Sequence, residues 1–233
     1  MKLNAMSGLR NLLGLFFPRI CVACQENTPI KGRSICLSCL SDLYYTDEHL
    51  VRNNDFESHF LGRIPLERGA AMLHFRKDTA IQNIIHELKY KGNKEIGTQL
   101  GVEYGQILKE AGWLKNVTAI VPVPLHWRKQ KQRGYNQAEA FGMGISLSTG
   151  IPIFPDLLLK TDESDSQTRK SRMERVENVE KVFKVNEKYD PAGEFILLVD
   201  DVLTTGATLE ACAKKFDMTK TKFCMASIAR GRI

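Results

Sequence analysis

Two adjacent carboxylates followed by a hydroxyl-rich turn form the most specific chemical pattern in this chain. The run Phe195 to Val199 is continuously apolar, Asp200 and Asp201 follow it directly, and Thr204-Thr205-Gly206-Ala207-Thr208 comes shortly after. Such an apolar run is typical of a central parallel strand buried on both faces. Open α/β sheets bind their ligands beyond the carboxyl ends of these strands. We therefore expect a ligand site at this point of the chain.

The residue types of this pattern suit a phosphorylated sugar. Backbone N–H groups and hydroxyls at the start of a predicted helix favour an anion, and Gly206 permits close approach and an unusual φ. Asp200 and Asp201 point in opposite directions if strand geometry persists. As anions they suit hydroxyl groups or Mg²⁺ and not a second phosphate, so a ribose with a 5′-phosphate satisfies the whole pattern. The alternative is an acidic strand end whose turn merely caps a helix. An ordinary nucleotide P-loop is excluded, because the chain has no Gly-x-x-x-x-Gly-Lys.

Four of the six cysteines occur in two closely spaced pairs, Cys21-x-x-Cys24 and Cys36-x-x-Cys39. Four thiolates at this spacing close a tetrahedral Zn²⁺ site with Zn–S distances of about 2.3 Å. Because all four ligands come from the protein, the zinc would be structural and would supply most of the folding energy of this short segment. Reduced unliganded cysteines and an iron–sulfur cluster are the alternatives. The other two, Cys212 and Cys224, are predicted to be small buried residues.

Positive charge is concentrated in two segments. The first follows a predicted strand end and contains Arg128, Lys131 and Arg133; the second, within the polar stretch 161–181, contains Arg172 and Arg175. Arginine and lysine on loops can neutralise a pyrophosphate. They can equally bind nucleic-acid phosphates, with Trp127 and Tyr135 available to stack on bases. A solvated face without a ligand is the third interpretation of both segments.

The elements that must position these residues alternate between strand and helix. Strands are predicted at Ala70–Phe75, Ala119–Pro124 (leading into a loop), Leu157–Leu159, Phe195–Val199 and Lys222–Ile228. Helices are predicted at 81–88, from Lys94 to about Ala111, from Asn136 to about Leu147 and from Ala207 to about Phe216. This order predicts an α/β fold with a parallel sheet and helices on both faces. We divide the chain into a helix and four-cysteine unit (1–45), a linker or hood region (46–68) and the α/β domain (69–233).

Length and composition are typical of a soluble globular protein, and the mild excess of positive charge favours an anionic ligand or partner. The 233 residues carry 33 Lys and Arg against 27 Asp and Glu, a formal charge of +6. The most apolar stretch, residues 12–17, is far shorter than the roughly 20 residues of a membrane-spanning helix. We expect it to form a helix that docks on the rest of the protein, or else an interfacial or partner-binding anchor. No secretory signal is recognisable, so a cytoplasmic location is expected.

Several motifs occur in one order along the chain and carry a resemblance to a known family. After the cysteine pairs come Leu88-Lys89-Tyr90-Lys91-Gly92, Val121-Pro122-Val123-Pro124-Leu125, Arg133-Gly134-Tyr135-Asn136-Gln137, the series Gln167, Arg175, Asn178 and Phe183, and the Asp200 to Thr208 pattern. This last pattern closely resembles the phosphoribosyl pyrophosphate (PRPP) motif of type I phosphoribosyltransferases. The ordered set resembles the ComF family, the competence-associated phosphoribosyltransferase-like proteins of bacteria, over roughly residues 10–230.

The resemblance implies a type I phosphoribosyltransferase-like sheet that binds PRPP together with Mg²⁺. Asp200 and Asp201 would contact the ribose 2′- and 3′-hydroxyls, and Thr204 to Thr208 would surround the 5′-phosphate. It also implies a role in DNA uptake on the cytoplasmic side, with single-stranded DNA and a helicase-like ComF protein as partners. An active transferase on an unidentified base or amine, and a PRPP sensor without chemistry, remain as alternatives.

One position departs from a branch of the phosphoribosyltransferases. Members that act on 6-oxopurines have an aspartate, proposed as a base toward the purine, where this chain has Thr204. A threonine does not take that role at neutral pH, so hypoxanthine and guanine are disfavoured as substrates. Only five residues follow the last predicted strand, so a hood over a base would have to come from residues 1–68.

Overall fold

The computed structural model describes residues 20–30, 32–76, 79–161 and 182–231. The apolar stretch 12–17 and the second basic segment, with Arg172 and Arg175, lie outside these residues, as do Gln167 and Asn178. The described elements are α1 (Leu37–Ser41), a 3-10 turn (Glu48–Leu50), α2 (Asp55–Ser58), β1 (Leu66–Phe75), α3 (Ala80–Tyr90), α4 (Lys94–Glu110), β2 (Ala119–Pro122), α5 (Trp127–Arg133), α6 (Gln137–Thr149), β3 (Leu158–Lys160), β4 (Phe183–Val185), β5 (Phe195–Leu203), α7 (Ala207–Ala213) and β6 (Lys222–Gly231).

A four-stranded sheet in the order β1-β6-β5-β2 forms the centre of the fold, and all its strand pairs are parallel. Residues alternate between two hydrophobic clusters along β5, because successive side chains of a strand face opposite sides: Leu197 and Val199 face one cluster, Ile196 and Leu198 the other. Helices α3, α4 and α6 pack on the first face, and α7 packs on the second. The predicted fold class is therefore confirmed.

The strand predicted at Leu157–Leu159 differs from the expectation in its pairing. It covers Leu158–Lys160 and pairs antiparallel with Phe183–Val185 in a separate two-stranded sheet. Alternation of strands and helices predicts parallel neighbours, but a strand of three residues is too short to reveal its partner by pattern. In sequence, the two strands flank the polar stretch 161–181. Lys160, at the end of β3, interacts electrostatically with Asp200 of β5.

Helices α4 and α6 approach each other so closely that their backbones touch. A Cβ atom on Gly101 would lie 2.1 Å from the carbonyl oxygen of Phe141, and one on Gly144 would lie 2.2 Å from that of Thr98. Neither position has space for a methyl group, so glycine is required at both. These contacts fix α6 against α4, and the Arg133 to Gln137 motif leads directly into the first residue of α6.

Residues 44–57 cover the outer edge of β1. The carboxylate of Glu48 accepts the N–H of Ala71 at 2.9 Å, and that of Glu57 accepts the N–H of Gly69 at 3.0 Å. Further bonds to this edge run from Asn54 Nδ2 to the Gly69 carbonyl, from Thr46 N to the Met72 carbonyl and from His74 N to the Tyr44 carbonyl. Side chains and a short stretch of backbone thus take the place of a neighbouring strand.

The region 46–68, predicted as a linker or hood, is ordered and contributes to the core. Phe56 and Phe60 are fully buried in the second cluster, and β1 begins within the region at Leu66. The signal in the sequence is weak, because the helix is only four residues long and ends at Ser58, so that Phe56 lies on it and Phe60 lies beyond it. The residues around the two phenylalanines are mostly polar, so no hydrophobic periodicity is recognisable. The proposed division into domains stays a prediction.

We expect Gly101→Ala to destabilise the protein, although alanine favours an exposed helix by about 1 kcal/mol over glycine. The added methyl group would overlap backbone that has no room to move, which costs about 2 kcal/mol or more. Chemical denaturation measures the change. Gln106→Ala, at an exposed position of the same helix, should stay within about 0.5 kcal/mol of the unaltered protein. A stabilised Gly101→Ala protein would contradict the close contact of α4 and α6.

Candidate functional site

The carboxylates of Asp200 and Asp201 lie at the carboxyl end of β5 and face different sides of the sheet. Asp201 Oδ2 is 3.3 Å from Nζ of Lys89, at the end of α3 on the first face. Asp200 interacts electrostatically with Lys160 of β3 and with Cys212 of α7, on the second face. Strand pairing continues through both aspartates to Leu203, and the opposite orientations follow from that continued strand geometry.

Asp200 is difficult to ionise in this environment. Burial is the main reason that its pKa rises to about 8, and the charge of Asp201 adds to the effect. The N–H of Asp201 donates to Asp200 Oδ1 at 2.8 Å and opposes the rise only in part. Burial also lowers the pKa of Lys160. A large fraction of Asp200 is therefore protonated at neutral pH, and a cation bound beside it would favour its ionised form.

The hydroxyl-rich turn after β5 is exposed on one side and supported on the other. Thr204 and Thr205 are exposed, whereas Gly206 is buried, with a φ of +77° immediately before α7. A Cβ atom on Gly206 would lie 3.1 Å from the ring of Phe60. An ion pair of 2.6 Å between Arg63 and Glu210 joins the same segment to α7. Glycine is needed here both for its backbone conformation and for the contact with Phe60.

The first basic segment is a helix, α5, where the sequence indicated a loop. Lys131 and Arg128 are exposed, and the Arg128 guanidinium lies 5.3 Å from the ring centre of Trp127. Arg133 is directed to the end of α3, where its guanidinium lies 5.8 Å from the ring centre of Tyr90. Of the three cations predicted in this first segment, Arg133 is thus the one placed beside α3, the helix that carries Lys89.

The Arg133 to Gln137 motif has a clear structural role. The hydroxyl of Tyr135 donates to the carbonyl oxygen of Leu88, and Gln137 Nε2 donates to the same oxygen at 3.4 Å. Burial raises the pKa of Tyr135 to about 12, so its phenol remains a donor. Asn136 donates to the carbonyl of Val123 at 2.9 Å and accepts the N–H of Ala138 at 3.1 Å, which caps α6. The motif joins α3, α6 and the loop after β2.

Sequence reasoning missed the two lysines that accompany the aspartates. Lys89 belongs to the Leu88 to Gly92 motif, but a lysine in the last turn of a helix is also what the helix dipole favours. Lys160 follows three leucines in a short strand, and no pattern in that stretch indicates its neighbours. The long-range pairing of strands determines the surroundings of both lysines.

The four predicted metal ligands come together in the structure. Their Sγ atoms all lie within 4.8 Å of one another, a separation that a tetrahedral ion such as zinc can bridge. Backbone N–H groups of Ala23 and Cys36 donate to the Cys21 sulfur at 3.4 and 3.3 Å, and that of Cys39 donates to the Cys36 sulfur at 3.4 Å. These donors favour thiolates, the form that binds metal.

The thiols also show why a cation suits this cluster. Backbone N–H groups, that of Asn27 first, lower the pKa of Cys24 to about 6, and the N–H of Cys39 lowers the pKa of Cys36. In contrast, burial raises the pKa of Cys39 above its usual range, and the neighbouring thiols contribute. Four adjacent thiolates are unfavourable by themselves, and a divalent cation removes that penalty. The residues present therefore fit a metal ion such as zinc.

The cysteine cluster is attached firmly to the helices of the first face. Gln99 Oε1 of α4 accepts the N–H of Ser34 at 2.9 Å, and Arg33 forms an ion pair with Glu103 at 3.0 Å. Asn83 of α3 donates to the carbonyl of Ala23 at 3.0 Å. The cysteine loops thus pack against α3, the helix that carries Lys89 in its last turn.

Fold and site together define an α/β protein with a four-stranded parallel sheet, a double carboxylate and hydroxyl-rich turn at the end of a central strand, and an N-terminal four-cysteine cluster. The chain is 27% identical over 199 residues to Competence protein F of Haemophilus influenzae, which covers 84% of this chain and 82% of that protein. The resemblance indicated by the ordered motifs is confirmed by this relative. No protein-family model matches the chain.

The structural neighbours are phosphoribosyltransferases. Adenine phosphoribosyltransferase of Saccharomyces cerevisiae is 17% identical, with a TM-score of 0.40 over 60% of this chain and 72% of that one. Glutamine PRPP amidotransferase of B. subtilis is 15% identical, with a TM-score of 0.36 over 60% of this chain and 30% of that one. Likenesses at this level support neither a ligand nor an activity for the chain. Within the described residues, no helix is long and apolar enough to cross a membrane.

We expect the purified protein to contain about one zinc ion per chain, measured by elemental analysis. Cys36→Ser should lose the ion and the order of residues 21–39, because this short segment depends on the metal for its folding, while the parallel sheet largely persists. Ser38→Ala, an exposed change between two ligands, should keep the ion. A folded, metal-free unaltered protein would contradict the assignment.

Proposed function

We propose that the protein binds PRPP with Mg²⁺ at the carboxyl end of β5 and acts in DNA uptake during natural transformation, on the cytoplasmic side. The observation that carries this proposal is the pair Asp200 and Asp201 next to the turn that precedes α7. Carboxylates at the end of a buried strand suit the hydroxyls of a sugar, and the turn beside them suits its phosphate. PRPP contains both groups in one molecule.

In the proposed complex the ribose hydroxyls bind Asp200 and Asp201. The 5′-phosphate lies on the turn formed by Thr204, Thr205, Gly206, Ala207 and Thr208. Exposure of the first two threonines and the supported conformation of Gly206 favour this placement. Mg²⁺ bound with the ligand would favour the ionised form of Asp200, whose pKa is raised by burial. The pyrophosphate takes its cations from Arg128, Lys131 and Arg133, and from Arg172 and Arg175.

The role in DNA uptake rests on the likeness to a competence protein and on the character of α5. This helix contains four Lys and Arg residues and no acidic residue. Its Trp127 is 51% exposed, and an exposed indole beside cations is the arrangement that single-stranded nucleic acid uses for stacking and phosphate contacts. Single-stranded DNA is therefore the proposed macromolecular ligand, and a helicase-like ComF protein the proposed partner.

Catalysis is a second candidate function that the same site permits. A transferase would displace pyrophosphate from C1 of the ribose by a nitrogen nucleophile, and its base would need a hood. Residues 59–63 contact the Gly206 turn and α7, and they belong to the region 1–68 from which a hood would have to come. A PRPP sensor would use the same contacts without the transfer. Release of pyrophosphate in the presence of candidate bases or DNA separates the two.

We expect Asp201→Asn to lower the affinity for PRPP roughly 10- to 100-fold, because it removes charge-assisted hydrogen bonds worth about 1.5–3 kcal/mol. Calorimetric titration with Mg²⁺ present measures the change. Glu187→Gln, an exposed change that also removes a carboxylate, serves as the control and should leave the affinity unaltered. Full affinity in a protein that lacks both Asp200 and Asp201 carboxylates would place the ribose elsewhere.

Single-stranded DNA binding should weaken steeply with salt, because it depends mainly on the neutralisation of phosphates. Lys131→Gln should lower the affinity and make the slope of log K against log salt shallower by about 0.7 for each phosphate that the protein no longer neutralises. Trp127→Ala should cost about 1–3 kcal/mol at every salt concentration. Lys109→Gln on α4 is the control. Binding that does not respond to salt would show that α5 does not bind the DNA.

A further inference from the structure

Lys89 forms an ion pair with Asp201, one of the two carboxylates that bind the ribose in the proposed complex. Its Nζ lies 3.3 Å from Asp201 Oδ2, and the side chains are 24% and 18% exposed. The sequence motif of the site contains neither this lysine nor any other cation. The pair neutralises Asp201 beside the half-buried Asp200, so it relieves the repulsion between the two neighbouring carboxylates.

The backbone of Lys89 is held in place, while its side chain can reorient. The preceding carbonyl, that of Leu88, accepts hydrogen bonds from Tyr135 and Gln137. The N–H of Lys91 bonds to the carbonyl of Glu87 at 3.1 Å, which closes the last turn of α3. A lysine ammonium on a flexible four-carbon stem can exchange one anion for another within its reach without any backbone movement.

The geometry of PRPP supplies a second anion at the required distance. Its pyrophosphate is attached to C1 of the ribose, the carbon next to the one that carries the 2′-hydroxyl. When ribose hydroxyls donate to Asp201, the pyrophosphate is brought near the same carboxylate, and therefore near Lys89. Arg133, stacked on Tyr90 one residue further along the chain, adds a second cation at this end of α3.

We propose that Lys89 is an anion-exchanging residue: it neutralises Asp201 in the free protein and binds the pyrophosphate of PRPP once ribose hydroxyls occupy Asp201. This inference rests on the proposed function and deepens it. It explains how one site both tolerates paired carboxylates without ligand and selects a sugar that carries pyrophosphate at C1. Ribose 5-phosphate, which has the hydroxyls and the 5′-phosphate alone, gains nothing from the exchange.

The test compares these two ligands in Lys89→Met, by calorimetric titration with Mg²⁺. The affinity for PRPP should fall roughly 10- to 100-fold, the loss of a charge-assisted hydrogen bond, and Lys89→Arg should recover most of it. The affinity for ribose 5-phosphate should stay the same or increase, because Asp201 is released. Lys109→Met removes the same charge at an exposed position of α4 and should change neither affinity.

The outcomes separate this inference from the proposed function. Equal losses for both ligands would overturn it, because Lys89 would then act only by holding Asp201. Unchanged PRPP affinity in Lys89→Met would overturn it as well. Failure of the unaltered protein to bind PRPP would instead refute the proposed function, and this inference with it. Lys89→Gln repeats the comparison if the methionine variant does not fold.

Discussion

Asp200 and Asp201 are adjacent carboxylates at the end of a buried strand, and their mutual repulsion makes it unfavourable for both to be ionised. The surrounding structure reflects this constraint. Because successive side chains of a strand alternate, Asp200 and Asp201 face opposite sides of the sheet. Lys89 pairs with the second of them, whereas the first has its pKa raised to about 8 by burial and by its neighbour. The charge of each carboxylate therefore depends on its neighbour and on any cation that lies beside it.

Keeping this arrangement in place involves distant parts of the chain. The Tyr135 and Gln137 side chains hold the end of α3, and so the backbone of Lys89. These two residues are positioned by α6, whose packing on α4 depends on Gly101 and Gly144. On the opposite face Phe60 supports Gly206. A packing defect in α4 would thus reach the site through α6 and α3, without any change in the residues that touch a ligand.

Strongly local patterns could be predicted from the sequence, and pairings between distant segments could not. The stripe Ile81, Ile84, Ile85 and Leu88 marks a helix, and all four side chains are buried. The cysteine spacing identified four residues that do come together. In contrast, the antiparallel partner of Leu158–Lys160 and the ordered fold of 46–68 depend on contacts far along the chain. The first basic segment was expected to be a loop because its helix is short and has no buried residue.

Both edge strands of the main sheet, β1 and β2, are covered by other segments, and this restricts how the protein can bind other macromolecules. Residues 44–57 occupy hydrogen-bonding groups along β1. At β2, Ile120 donates to the carbonyl of Pro152 and accepts the N–H of Phe154. A peptide therefore has little room to join the sheet as an added strand, and two copies have little room to merge their sheets. The same protection guards against edge-to-edge aggregation. Within the described residues, the surfaces of the main sheet region that stay open to a partner are therefore side chains on helices and turns.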